Sequence, residues 1–114
     1  MKYMLLIYMD PNGGPPDGET DEYIKYTTEL VEAGKMIAGD PLEGVDTATT
    51  VSFENGKAVT TDGPFAETKE VLGGYYLIDV DNLDEAIAWA AKIPTASWGK
   101  IEVRPLRVFD MPSA

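Results

Sequence analysis

Apolar residues occur at both parities through Lys2-Tyr3-Met4-Leu5-Leu6-Ile7-Tyr8-Met9, which predicts a strand at residues 2–9 covered on both faces. Pro and Gly interrupt the pattern across residues 10–19, predicting a loop. The period then becomes helical. Thr20 is placed as an N-cap, Asp21 and Glu22 fall in the first turn where the helix dipole favours acids, and Ile24, Thr27, Leu30, Val31 and Gly34 share a face, Gly34 as the C-cap. Residues 36–38 read as a short second strand. Residues 48–53 and 57–61 flank Glu54-Asn55-Gly56, and Asn-Gly between β-branched runs is a strong hairpin signal. Residues 74–80 form another strand that is largely apolar on both faces. Asn82-Leu83-Asp84-Glu85 fits a capping box opening a second helix, with Leu83, Ala86, Ile87 and Ala90 as its buried stripe and Pro94 as its stop. The last strand spans residues 101–108, with Pro105 placed near an edge or irregularity.

The element order is strand, helix, strand, hairpin, strand, helix, strand. With the hairpin removed it is βαββαβ, so the fold class is α+β, a ferredoxin-like βαββαβ with an inserted β-hairpin. Residues 1–114 make one domain, and the inserted hairpin with the segment after it occupies about residues 43–72. Two helices cover one face of a four-stranded sheet. The double-parity runs make the other face apolar as well, and a second copy packed sheet to sheet covers it most simply, giving a homodimer.

Charge and composition narrow the chemistry. Nine Lys and Arg stand against twenty Asp and Glu, for a net charge of −11. Such a field repels nucleic acid and anionic membrane surfaces and attracts a basic protein partner. There is no Cys and no His, which removes thiolate chemistry, the commonest general base and the commonest transition-metal ligand. No metal or other cofactor is expected. The N-terminal apolar run is too short for a signal core and is followed by Asp10-Pro11-Asn12 with no small-residue cleavage site, and no run is long enough to span a bilayer. The expected location is the cytoplasm.

Chemistry concentrates in Asp62-Gly63-Pro64-Phe65-Ala66-Glu67-Thr68-Lys69-Glu70. Asp62, Gly63 and Pro64 suit a turn in which Asp62 accepts hydrogen bonds from nearby amides, and Phe65 is suited to anchoring the loop in the core. Glu67, Lys69 and Glu70 offer polar contacts to a small molecule, and a carboxylate buried beside an ammonium tunes either pKa. The competing reading is a structural turn with a solvated charged tail. Tyr75 and Tyr76 are adjacent on a strand and point to opposite faces, so one of them can line a cleft. Asp79, Asp81 and Asp84 lack the spacing of a calcium loop and fit a strand end and helix cap. Gly13-Gly14 lacks the spacing of a phosphate cradle. Trp89 and Trp98 read as a helix-face packing residue and a loop anchor.

The stretch from Asp62 to Glu70 resembles the signature of the DGPF-domain proteins of the YCII-related superfamily. The opening Met1-Lys2-Tyr3-Met4-Leu5-Leu6-Ile7-Tyr8, the Leu72-Gly73-Gly74-Tyr75-Tyr76 run and Glu102-Val103-Arg104-Pro105 extend the resemblance over nearly the whole chain. It implies a ferredoxin-like subunit that pairs into a dimeric α+β barrel, with the hairpin and motif inserted between the second and third core strands. A His–Asp pair attributed to some YCII-like proteins has no counterpart in a chain without His. Bacterial DGPF relatives often lie beside sigma factors of the extracytoplasmic-function type, which implies a regulatory role.

The functional expectation is therefore a small-molecule-binding homodimer with a cleft near the motif loop. Asp62, Gly63, Phe65, Glu67, Lys69, Glu70 and Tyr76 are its candidate binding residues, and no catalytic residue is assigned. The alternatives are a protein-interaction module acting with such a sigma factor, and an enzyme using carboxylate and Lys69 for acid–base chemistry.

Overall fold

The computed structural model describes residues 1–15 and 17–109. Six strands and two helices follow in the order β1 (Lys2–Met9), α1 (Glu19–Glu32), β2 (Met36–Pro41), β3 (Thr49–Glu54), β4 (Lys57–Asp62), β5 (Val71–Asp79), α2 (Leu83–Ala91) and β6 (Lys100–Pro105). The main sheet has the order β2-β5-β1-β6, and its neighbouring strands are antiparallel throughout. This is the βαββαβ ferredoxin-like arrangement expected from the element order. β3 and β4 form a separate two-stranded sheet, joined through Asn55 and Gly56, which both take positive φ (50° and 76°) as the tight hairpin turn requires.

The core lies between the helices and one face of the sheet. Tyr3, Leu5 and Ile7 of β1 and Tyr76 and Ile78 of β5 meet Tyr26 and Leu30 of α1 and Ala86 and Ala90 of α2. The alternate residues Met4, Leu6 and Tyr8 turn to the other face and are half-buried, as are Tyr75 and Leu77 beside them. That second face is apolar, and among the described residues no element lies over it to bury it fully. The arm of β3 and β4 carries exposed Val51 and Phe53. The radius of gyration is 16.3 Å, against about 13 Å for a compact chain of this length.

Local chemistry explains the element ends. α1 begins at Glu19, with Gly18 in the left-handed region as its N-cap and no side-chain cap, so Thr20 lies inside the helix rather than capping it. It closes as a Schellman motif: Gly34 (φ 72°) donates to Val31 O at 2.9 Å and Lys35 to Leu30 O at 3.2 Å. The Asn82 side chain accepts from Glu85 N at 2.9 Å. Glu85 in turn accepts from Asp81 N at 2.9 Å, one residue ahead of the reciprocal partner of a standard capping box.

The predicted helix stripes shift. On α1, Ile24 and Val31 are 62% and 58% exposed, and the buried arc is Tyr26 and Leu30, flanked by half-buried Tyr23 and Thr27. On α2, Leu83 and Ile87 are about half exposed, while Ala86 and Ala90 are buried because short side chains let the helix lie close to the sheet. β2 and β5 run longer than their sequence patterns predict, and β6 ends at Pro105, three residues short of the predicted end. Pro105 terminates an edge strand, as expected of a residue with no N–H to donate.

Candidate ligand-binding site

A cavity of about 640 Å³ opens between α1 and the β2–β5–β1 portion of the sheet, within the size range of small-molecule sites. One wall is α1, through Glu19, Tyr23, Ile24 and Thr27. The sheet side is built from Ile7, Met9, Met36, Tyr76 and three glycines, Gly39, Gly73 and Gly74. The glycines matter because the backbones and rings are close. A Cβ on Gly39 would lie 2.6 Å from Tyr76 Cδ1 and 3.1 Å from Tyr75 O, and one on Gly74 would lie 3.1 Å from Asp40 O.

The polar groups in this largely apolar lining include two hydroxyl pairs and two carboxylates, half-buried Glu19 and exposed Asp40, the latter accepting from Tyr75 Oη at 3.3 Å. Tyr23 Oη and Thr95 Oγ1 are 2.5 Å apart, and Tyr76 Oη and Thr27 Oγ1 are 2.7 Å apart. Thr95 is fully buried on the short turn Pro94–Ser97. The Trp98 indole N–H donates to the Glu19 carboxylate, so Trp98 ties the segment before β6 to the start of α1, the anchoring role read from the sequence. Trp89 packs edge-on to Tyr26 at 6.1 Å, and Tyr26 donates to Trp89 O at 2.9 Å.

Burial pushes the phenols of Tyr23 and Tyr76 above the ordinary tyrosine value; their hydrogen bonds to Thr95 and Thr27 oppose the shift. For Tyr23, the nearby Glu19 charge raises it further. Tyr26 is raised by burial and then by its tyrosine neighbours. All three stay protonated at neutral pH, and Tyr26 donates to Trp89 O. Among the described residues no group of three or more acidic, His or Cys side chains is placed to hold a metal ion.

Of the residues singled out in the sequence, Tyr76 lines this cavity and the motif residues do not. Asp62 ends β4, paired with Thr49, and is exposed. Its carboxylate forms no hydrogen bond among the described residues. The turn is made instead by the backbone of Gly63 (φ 95°), whose N–H donates to Ala48 O at 2.7 Å and whose carbonyl accepts from Thr50 Oγ1 at 2.8 Å. Phe65 is 90% exposed and does not anchor the loop in the core. Glu67 and Lys69 are exposed, and Glu70 pairs with Lys100 beside a shallow depression next to Tyr8. The cavity therefore lies between α1 and the sheet rather than under the motif loop. Tyr23, Glu19 and Thr95 were not distinguished in the sequence. The signal available for them was weak: a tyrosine in the first half of α1, whose hydroxyl partner lies 72 residues away.

A YCII-related domain model matches residues 1–110. The chain belongs to the YCII-related family. An uncharacterized protein of Rhizobium meliloti (strain 1021) is similar to it, at 44% identity over a 124-residue alignment covering 99% of this chain and all of the relative. The family assignment agrees with the α+β fold and with the match of the long motif. In this YCII-related chain the cleft chemistry is carried by phenols, threonines and the carboxylates of Glu19 and Asp40. No helix among the described residues is long and apolar enough to cross a membrane.

Proposed function

We propose that this protein is a cytoplasmic, homodimeric small-molecule-binding domain whose site is the cavity between α1 and the sheet. The observation that carries the reading is the cavity itself: the Tyr23–Thr95 and Tyr76–Thr27 hydroxyl pairs and the Glu19 carboxylate stand in a largely apolar lining. Binding is favoured over catalysis because the raised tyrosine pKa values move these phenols away from the range of a general base. Dimerisation is supported by the half-buried apolar face of Met4, Leu6 and Leu77 and by the exposed aromatic residues Phe53 and Phe65 on the arm and motif loop, which a second copy covers.

The test is a thermal-shift screen of a metabolite library, counter-screened with Ile24→Trp. Ile24 lines the cavity from an exposed position, so the indole fills space without straining the core. A ligand at a hundredfold excess over its Kd adds about 2.7 kcal/mol of stability. Hits that disappear in Ile24→Trp support the site, and hits that all persist place binding elsewhere. Light scattering should give twice the 12.4 kDa chain mass, and Leu6→Lys should reduce it to a monomer. A monomeric, ligand-blind wild type would overturn both parts and return the acidic surface, with a basic protein partner, as the working feature.

A further inference from the structure

We propose that the cavity takes an organic cation, an aromatic or alicyclic molecule carrying one ammonium group, with that group seated beside Glu19. This rests on the reading of the cavity as a binding site and adds the charge class of its occupant.

Three observations converge. First, none of the chain's nine Lys and Arg is among the residues lining the cavity, so a carboxylate or phosphate ligand would meet no counter-charge. Burying an unpaired anion in a largely apolar lining is strongly unfavourable. Second, of the two carboxylates in the lining, Asp40 is exposed and accepts from Tyr75 Oη, whereas Glu19 is half-buried and has no basic partner among the described residues. The ion pairs formed there are Met1–Asp79, Lys35–Glu85, Lys100–Glu70 and Arg104–Glu102. Its fixed neighbour is the Trp98 indole N–H, which holds one carboxylate oxygen and sets its position, leaving the other oxygen to accept. Glu19 also lies near enough to raise the pKa of Tyr23 by its charge, so the carboxylate and the phenol belong to one polar corner.

Third, that corner adjoins the rings of Tyr23 and Tyr76, whose faces attract an ammonium, while Ile7, Met9 and Met36 offer apolar surface for the rest of the molecule. A bare metal ion is disfavoured, since no cluster of three ligating side chains exists among the described residues. The chain's net charge of −11 further concentrates cations at the mouth.

Three indole probes of nearly equal size separate the charge classes: tryptamine (cation), tryptophol (neutral) and indoleacetate (anion). Calorimetry on the full chain at low salt should rank tryptamine about tenfold tighter than tryptophol, with indoleacetate weakest. Glu19→Gln keeps an acceptor for Trp98 and should bring tryptamine down to the affinity of tryptophol while leaving tryptophol unchanged. Wild-type probe ranking does not depend on that variant folding. Equal binding of all three, or tightest binding of indoleacetate, overturns the cation class while leaving the cavity reading intact if Ile24→Trp abolishes it. A tryptamine preference that survives Glu19→Gln overturns the seat at Glu19. Failure of all three to bind at millimolar concentration overturns the cation class and the cavity reading together.

Discussion

Gly39→Ala perturbs the point where core packing and the cavity meet. Gly39 lies opposite Tyr76 in the β2–β5 register. Its backbone is not left-handed, so an added methyl meets a packing problem and no torsional one. A Cβ there would stand 2.6 Å from Tyr76 Cδ1, 3.1 Å from Tyr75 O and 3.1 Å from Met36 Cε. The Met36 methyl can swing away, but the other two neighbours cannot move cheaply. Tyr75 O is backbone in a paired strand, and the Tyr76 ring is 7% exposed, packed against Tyr26 at 5.2 Å and tied to Thr27 at 2.7 Å.

Overpacking of this kind costs about 1–3 kcal/mol, and displacing the ring adds about 1 kcal/mol for the Thr27 bond. Replacing a strand glycine returns about 0.5–1 kcal/mol of backbone entropy. The net expectation is a loss of about 2 kcal/mol, which for a chain of this size lowers Tm by about 8 °C. Gly73→Ala is the internal control, because its Cβ would meet only the flexible end of Met9, with Cε at 2.5 Å, and it should shift Tm by no more than about 2 °C. Thermal melts followed by circular dichroism read both variants. A Gly39→Ala protein as stable as wild type, or a Gly73→Ala protein destabilised equally, would refute the placement of Tyr76 against β2.

The motif head is structural at Gly63 and not at Asp62. Gly63→Ala, forced to a φ near 95°, should cost about 1–2 kcal/mol in urea denaturation, while exposed Asp62→Ala should stay within about 0.5 kcal/mol. The Asn82 cap predicts a loss of about 1 kcal/mol for Asn82→Ala, seen as a Tm lowered by about 4 °C. Tyr23, Tyr26 and Tyr76 have pKa values raised above the ordinary 10.0, so their contribution is complete below pH 10 and is lost as pH rises through their folded values. Denaturation midpoints should therefore be flat from neutral pH to about 10 and fall beyond it. Tyr26→Phe should reduce that alkaline fall, and an unchanged slope would count against the buried tyrosine cluster.

Much of the fold was legible because it rests on local signals. Asn55-Gly56 announces the hairpin, Asn82 with Glu85 opens α2, Gly34 ends α1, and apolar residues at both parities mark β1 and β5 as strands apolar on both faces. The helix stripes were less legible. Periodicity selected Ile24, Thr27, Leu30, Val31 and Gly34 as the inner face of α1; Leu30 is buried and Thr27 half-buried, but Ile24 and Val31 are exposed and the arc takes in Tyr23 and Tyr26 instead. A tyrosine is buried there only because its hydroxyl finds a partner. The partners of Tyr23 and Tyr26, Thr95 and Trp89 O, lie 72 and 63 residues away, and Thr27 of the same arc pairs with Tyr76, 49 residues away. No window along the chain can see them.

The candidate site divides in the same way. The motif from Asp62 to Glu70 is conspicuous as sequence because it gathers a turn and several charges in one short segment, but its side chains are mostly exposed. The cavity is inconspicuous as sequence because it gathers single residues from α1, β1, β2, β5 and the turn before β6. What the chain determined by itself was the element order, the caps and turns, the absence of His and Cys chemistry, and family membership, all carried by neighbouring residues or by composition. The tertiary structure decided which tyrosines are buried, that a hollow lies between α1 and the sheet, and that Glu19 stands in its lining without a basic partner among the described residues. Each of these depends on distances between distant segments, and those distances exist only once the sheet has brought the segments together.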